Sequence, residues 1–152
     1  MARAFIGLGA NLGDREVAVR RALEALEAHD DVELLAVSRM RETDPVGFVD
    51  QPRFVNAACA VDTTLSPHAL LDVLLGIERS LGRRRGGERY GPRTIDLDLL
   101  VYGAEVVDEP GLRVPHRRLH ERRFVLEPLL DLDPDLVVPG RGRVDELLAR
   151  LG

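Results

Sequence analysis

Two aspartates, Asp96 and Asp98, lie two residues apart in the run Ile-Asp-Leu-Asp-Leu-Leu-Val-Tyr at 95–102. If that run is a strand, alternation puts both carboxylates on one face and Ile95, Leu97 and Leu99 on the other. Carboxylates about 7 Å apart along one face repel each other unless something positive sits between them. Hard oxygen ligands of this kind suit Mg²⁺, which keeps several waters and recruits substrate phosphates to complete its octahedron. A pair of such ions can activate an attacking oxygen and stabilise a leaving one. The plain alternative is a solvated strand face.

Five arginines (Arg83, Arg84, Arg85, Arg89 and Arg93) precede the aspartates within eleven residues, offset only by Glu88. Planar guanidinium forks match phosphate oxygens in pairs. Gly86, Gly87 and Gly91 let the segment bend, and an irregular stretch of this length is more often a lid or binding loop than filler. Carboxylates with Mg²⁺ on one side and arginines on the other describe a polyphosphate site. A solvated basic run and a nucleic-acid patch are the alternatives. The second is weakened by an aromatic content of 4% and the absence of tryptophan, which leave no platform on which bases stack.

Other polar residues carry weaker signals. His116 and His120 have the i, i+4 spacing of a helical zinc pair. Pro115, however, places His116 at a helix start, and the glutamate of a zinc-protease helix is missing. A phosphate contact is the preferred reading of His116, with a surface histidine as the alternative. Asn56 sits among small and apolar residues on a strand, and its amide carries the donors and acceptor that read a heterocycle edge. A hydrogen-bonded sheet asparagine is the alternative. Cys59 falls on the opposite face and reads as core. Glu78 shares the Leu71, Leu74 and Leu75 side of its helix, either near solvent or placed for ligand work.

Composition bounds the class. Lysine plus arginine total 21, and all 21 are arginine. That excludes a Walker-type phosphate lysine, a Schiff-base lysine and a protein-kinase strand lysine. Net charge −5 and a pI near 5.4 argue against a general nucleic-acid or anionic-membrane binder. One cysteine makes no internal disulfide, and no apolar run reaches the ~20 residues of a membrane helix. The expectation is a cytoplasmic protein, acting as a monomer, with 1–152 forming one domain.

The elements that must position these groups follow from periodicity. Residues 4–9 read as a buried strand. Asp14 caps a helix that runs to about His29 on Val19, Ala22, Leu23 and Leu26. Residues 32–41 read as a second strand, 43–52 as a loop broken by two prolines and a glycine, and 53–63 as a third strand. On that third strand Phe54, Asn56, Ala58 and Ala60 share one face, and Val55, Ala57, Cys59 and Val61 the other. Ser66-Pro67 starts a helix with the stripe Leu70, Leu74, Ile77 and Leu81, ended by Gly82. After the strand at 95–102 come a short hairpin, a helix over 119–130 and a terminal helix over 144–151. The order strand–helix–strand–strand–helix–strand predicts an α+β ferredoxin-like sandwich: a split βαβ core with an antiparallel sheet, helices packed on its face and C-terminal additions.

Five motifs occur in order: Gly-Leu-Gly-Ala-Asn-Leu-Gly-Asp (7–14), Glu-Thr-Asp-Pro (42–45), Gln-Pro-Arg-Phe-Val-Asn-Ala-Ala (51–58), Arg-Tyr-Gly-Pro-Arg-Thr-Ile-Asp-Leu-Asp-Leu-Leu (89–100) and Val-Pro-His (114–116). Together they resemble the 6-hydroxymethyl-7,8-dihydropterin pyrophosphokinases of folate biosynthesis, over about residues 3–140. The resemblance implies a ferredoxin-like fold and transfer of pyrophosphate from MgATP to the pterin hydroxymethyl group, with ATP as co-substrate and two Mg²⁺ ions on Asp96 and Asp98. It implies catalytic roles for Arg83, Arg93, Asp96 and Asp98. Triphosphate contacts would come from Arg83, Arg85, Arg89, Arg93, His116 and Arg122, with Glu78 and Leu99 near the nucleoside. The pterin pocket would use Thr43, Pro45, Val46, Phe54, Asn56, Tyr90, Asp96 and Phe124. Ala10, Tyr90, Arg117 and Gly86 depart from residues frequent in such proteins. No nucleic-acid or membrane partner is implied. Two rivals stand beside this reading: a two-metal nucleotidyltransferase and a non-enzymatic RNA-binding ferredoxin-like module.

Overall fold

The structure is a computed structural model that describes residues 1–11, 14–43, 53–82 and 95–152. The 83–93 arginine segment and residues 44–52 therefore lie outside the described residues.

Strand β1 (Ala2–Ala10) runs through the middle of the main sheet, and α1 (Arg15–Glu27) follows it. Asp14 caps α1, its carboxylate accepting from the Val17 N–H at 3.2 Å, and Ala18, Val19, Ala22 and Leu26 form the buried stripe. The expected 32–41 strand divides into β2 (Val32–Val37) and β3 (Arg41–Thr43). Ser38 causes the division. Its N–H donates to the Ala58 carbonyl and its hydroxyl accepts from the Ala58 N–H, both at 2.8 Å, so a side chain replaces one rung of the ladder. Strand β4 (Phe54–Thr63) leads to α2 (Pro67–Gly82), where the Ser66 hydroxyl accepts from the Ala69 N–H at 3.1 Å.

Strand β5 (Asp96–Tyr102) carries the aspartates. The hairpin β6 (Val107–Glu109) and β7 (Leu112–Val114) comes next. The segment expected as one helix over 119–130 is a 3₁₀ turn, Leu119–Glu121, followed by α3 (Arg123–Leu132). Arg122 between them is extended (φ −123°, ψ 107°), so the chain changes direction there. A small ribbon, β8 (Val137–Val138) and β9 (Gly142–Arg143), precedes α4 (Val144–Arg150).

The sheet order is β2-β4-β1-β5 with β3 on β4, and every pairing is antiparallel. This is the split βαβ arrangement expected from the element order. One face packs on α1 and α2 through Ala4, Ile6, Leu8, Val55, Cys59, Val61, Leu70 and Leu74. The C-terminal additions cover part of the other face, where Leu126, Leu129, Val144 and Leu147 meet Phe5, Ala58, Ala60, Leu100 and Val101. The small side chains of Ala58 and Ala60 let α3 lie close to β4.

Strand β5 contains a bulge. Ile6 pairs with Leu99 and Phe5 with Val101, so Leu100 is the extra residue. Alternation holds before it and breaks at it. Ile95, Leu97 and Leu99 face α1 and α2, whereas Leu100 and Val101 both face α3 and α4.

Candidate active site

The α3–α4 layer leaves part of the second sheet face uncovered. A cavity of about 610 Å³ lies there, lined also by residues of α3. Its floor is a row across three strands, because Gly9 pairs with Asn56 on β4 and with Asp96 on β5. The next row repeats the pattern, with Gly7 between Ala58 and Asp98. A Cβ on Gly9 would lie 3.0 Å from Asn56 Oδ1, and one on Gly7 would lie 3.3 Å from a Leu100 methyl. The two glycines are therefore the empty centre of the floor, with a carboxamide on one side and two carboxylates on the other.

Asn56 is 8% exposed and donates from Nδ2 to Thr43 Oγ1 at 2.5 Å. That bond fixes the amide, leaving Oδ1 over Gly9 as an acceptor and the second Nδ2 hydrogen as a donor. Phe54 and Phe124 line the same cavity, as does Thr43. The Arg122 guanidinium rests 5.6 Å from the centre of the Phe124 ring, a cation–π brace that holds it at the cavity. Arg118, Glu121 and Arg123 also line it and were missed by sequence reasoning. Among the described residues no carboxylate is salt-bridged to Arg118 or Arg122. The signal for these residues was available: the segment Arg117-Arg118-Leu119-His120-Glu121-Arg122-Arg123 is charge-dense beside a candidate phosphate residue. The glycines also carried a signal, since glycine inside a strand marks a close approach.

Asp96 and Asp98 both face the cavity. Their hard oxygen donors fit a magnesium ion. Among the described residues no group of three or more metal-ligating side chains forms.

The remaining expected site residues stand around the outer edge of β5. Glu78 accepts from the Leu97 N–H at 2.6 Å, clamping the backbone between the two aspartates. Leu99 has its side chain in the α1–α2 core at 4% exposure, so any ligand contact falls to its backbone. His116 is held by its own N–H, which donates at 2.8 Å to the carbonyl of the bulged Leu100. Its Nδ1 accepts from the Arg118 N–H at 3.3 Å, which places the ring proton on Nε2. Burial pushes the His116 imidazole below its ordinary value, Asp98 raises it in part, and Arg122 lowers it again. The ring is thus a neutral Nε2–H donor at neutral pH. Cys59 is core, as expected, and burial pushes its thiol up to about 12. Arg83, Arg85, Arg89, Arg93, Tyr90, Pro45 and Val46 lie outside the described residues.

Residues 5–134 match the model of the 7,8-dihydro-6-hydroxymethylpterin-pyrophosphokinase family. The chain belongs to this family. It is 49% identical over 152 residues to a protein of Methylorubrum extorquens named 2-amino-4-hydroxy-6-hydroxymethyldihydropteridine pyrophosphokinase, covering 99% of this chain and 94% of that one. A Pseudomonas aeruginosa protein of the same name is 47% identical over 147 residues, covering 97% and 90%. Among solved structures, the wild-type HPPK-DHPS of Plasmodium falciparum superposes with a TM-score of 0.73 at 14% identity. The fit covers 99% of this chain and 43% of that longer one, and it shows the ferredoxin-like fold. Family membership sets aside the nucleotidyltransferase and RNA-binding readings. Among the described residues no helix is long and apolar enough to cross a membrane.

Proposed function

We propose that this enzyme transfers pyrophosphate from ATP to the hydroxymethyl group of 6-hydroxymethyl-7,8-dihydropterin, releasing AMP, in folate biosynthesis. Beyond family membership, one observation carries the reading: Asn56, Gly9 and Asp96 lie in register across β4, β1 and β5. Two inter-strand spacings separate Asn56 from Asp96, about 10 Å. A bicyclic ring read at one edge by Asn56 therefore brings a one-carbon arm at its other end to the aspartates.

The chain's own groups then have distinct tasks. Asn56 offers Oδ1 and one N–H to the ring edge, while Thr43 holds the amide in that orientation. Phe54 and Phe124 provide apolar walls. Arg122, braced on Phe124, and His116 through Nε2–H meet phosphate oxygens. Asp96 and Asp98 would hold two Mg²⁺ ions, which neutralise phosphate charge when bound. The pterin hydroxyl attacks the β-phosphorus in line, the bond from that phosphorus to the bridging oxygen breaks, and AMP leaves with that oxygen. The hydroxyl proton passes to solvent. Positioning and charge neutralisation dominate such a step, so no protein base is assigned.

The reading extends to Arg83, Arg85, Arg89 and Arg93 on the triphosphate, to Glu78 and Leu99 near the nucleoside, and to Pro45, Val46 and Tyr90 near the pterin. It takes the chain as one domain, monomeric and cytoplasmic, with no nucleic-acid partner; the net charge of −5 supports the last point. The test is to mix the protein with MgATP and the reduced pterin and look for AMP. Release of free pyrophosphate in place of AMP overturns the reading. Asp98→Asn should remove most turnover while the chain stays folded by circular dichroism, and near-normal AMP release from it would sink the metal assignment.

A further inference from the structure

Arg41 and Asp131 are 90 residues apart in sequence. Arg41 Nη1 donates to Asp131 Oδ2 at 2.8 Å and Nη2 donates to Oδ1 at 2.9 Å. The Arg39 N–H also donates to Oδ2, at 3.1 Å. One carboxylate thus accepts three hydrogen bonds from the chain entering β3. Both side chains are largely shielded, at 20% and 24% exposure. A two-pronged fork fixes orientation as well as charge.

The elements it joins are the two walls of the pterin cavity. Arg41 stands opposite Asn56 in register, and Thr43 stands opposite Phe54. Residues directly opposite in an antiparallel pair share a face, so Arg41 leaves the sheet on the Asn56 side. Strand β3 has three residues, a short ladder that holds a strand weakly. On α3, Phe124 and Asp131 are seven residues apart, close to two helical turns, and so share one face. Pro128 lies between them and gives up the bond to the Phe124 carbonyl, but α3 continues through it to Leu132, so an anchor at Asp131 bears on where Phe124 stands. Elsewhere the layer containing α3 meets the sheet through apolar contacts, which carry little directional information.

We propose that the Arg41–Asp131 pair sets the spacing between the β3–β4 wall and the α3 wall of the pterin slot, and so sets pterin affinity without touching the substrate. Neither side chain lines the cavity. The proposal rests on the pterin reading of that cavity, and both residues are positioning residues in it.

The experiment uses steady-state kinetics on Asp131→Asn and on the charge swap Arg41→Asp with Asp131→Arg. Asp131→Asn should raise the pterin KM about five- to tenfold while the ATP KM and kcat move less than about twofold. The swap should recover most of that loss. Arg41→Lys keeps the charge but loses the fork, so it should resemble Asp131→Asn; it also serves as the second variant if the swap does not fold. An unchanged pterin KM, equal losses for both substrates, or an Arg41→Lys protein like the unmutated one overturns the proposal. If the unmutated chain releases no AMP, the functional reading fails on its own. The spacing role is then judged by the Asn56 side-chain amide signals in ¹H–¹⁵N spectra, which should shift in Asp131→Asn; unmoved signals overturn it.

Discussion

Gly9 matters through the atoms it lacks. Its backbone lies in register between the Asn56 amide and the first aspartate, and a single methyl there would meet Asn56 Oδ1 at 3.0 Å. Gly9→Ala should therefore weaken pterin binding at least about tenfold, by displacing the amide and filling the floor, and leave ATP binding nearly unchanged. Calorimetric titration with each ligand checks this; equal losses would count against it. The chemistry of single residues was legible in the sequence where a residue type and a two-residue period were enough. Asp96 and Asp98 share a face, Asn56 faces the cavity, and Cys59 is core. The proton on His116 Nε2 was not legible. It depends on the Arg118 N–H, and that contact exists only once the chain has folded around Pro115.

At the scale of elements, β5 is an edge strand whose outward groups are claimed from both sides. Glu78 of α2 takes the Leu97 N–H, and the His116 N–H takes the Leu100 carbonyl. Strand and acids are thereby held in place at the edge of the cavity floor. Glu78→Gln should cost about 1–2 kcal/mol in urea unfolding, since a neutral acceptor replaces a charged one. It should also speed hydrogen exchange at the Leu97 amide, and unchanged protection there would refute the clamp. Periodicity located the helices and strands β1, β2, β4 and β5, but not β3, the β8–β9 ribbon or the breaks within elements. The split at Ser38 comes from a side chain capturing the backbone of a residue 20 positions away, and the bend at Arg122 is a single extended residue between two helical segments. Neither leaves a local pattern.

Among the described residues, the five-stranded sheet carries a core on each face. The α1–α2 core follows from the element order, which is why the ferredoxin-like topology was legible. Coverage of the second face was not, because α3 and α4 could have packed beside the sheet as readily as over it. The Arg41–Asp131 pair is hidden for the same reason: no local rule links residues so far apart. Leu74→Ala in one core and Leu129→Ala in the other should each lower stability by about 2–5 kcal/mol, both leucines being fully buried. If the chain is one domain, each variant still unfolds in a single urea transition with the m-value retained. A separate early step in Leu129→Ala would show the C-terminal layer to be an independent unit.

The bulge at Leu100 has a consequence for insertions and deletions. Removing one residue between Asp96 and Leu99 reverses the facing of every side chain on one side of the cut, so an acid is turned into the apolar core. Removing Leu100 itself changes no facing: Val101 still meets α3 and α4, and Tyr102 still faces the α1–α2 core, its hydroxyl donating to the Leu65 carbonyl just before α2. The strand that carries the acids thus has one position at which its length can change by a residue without turning any remaining side chain over.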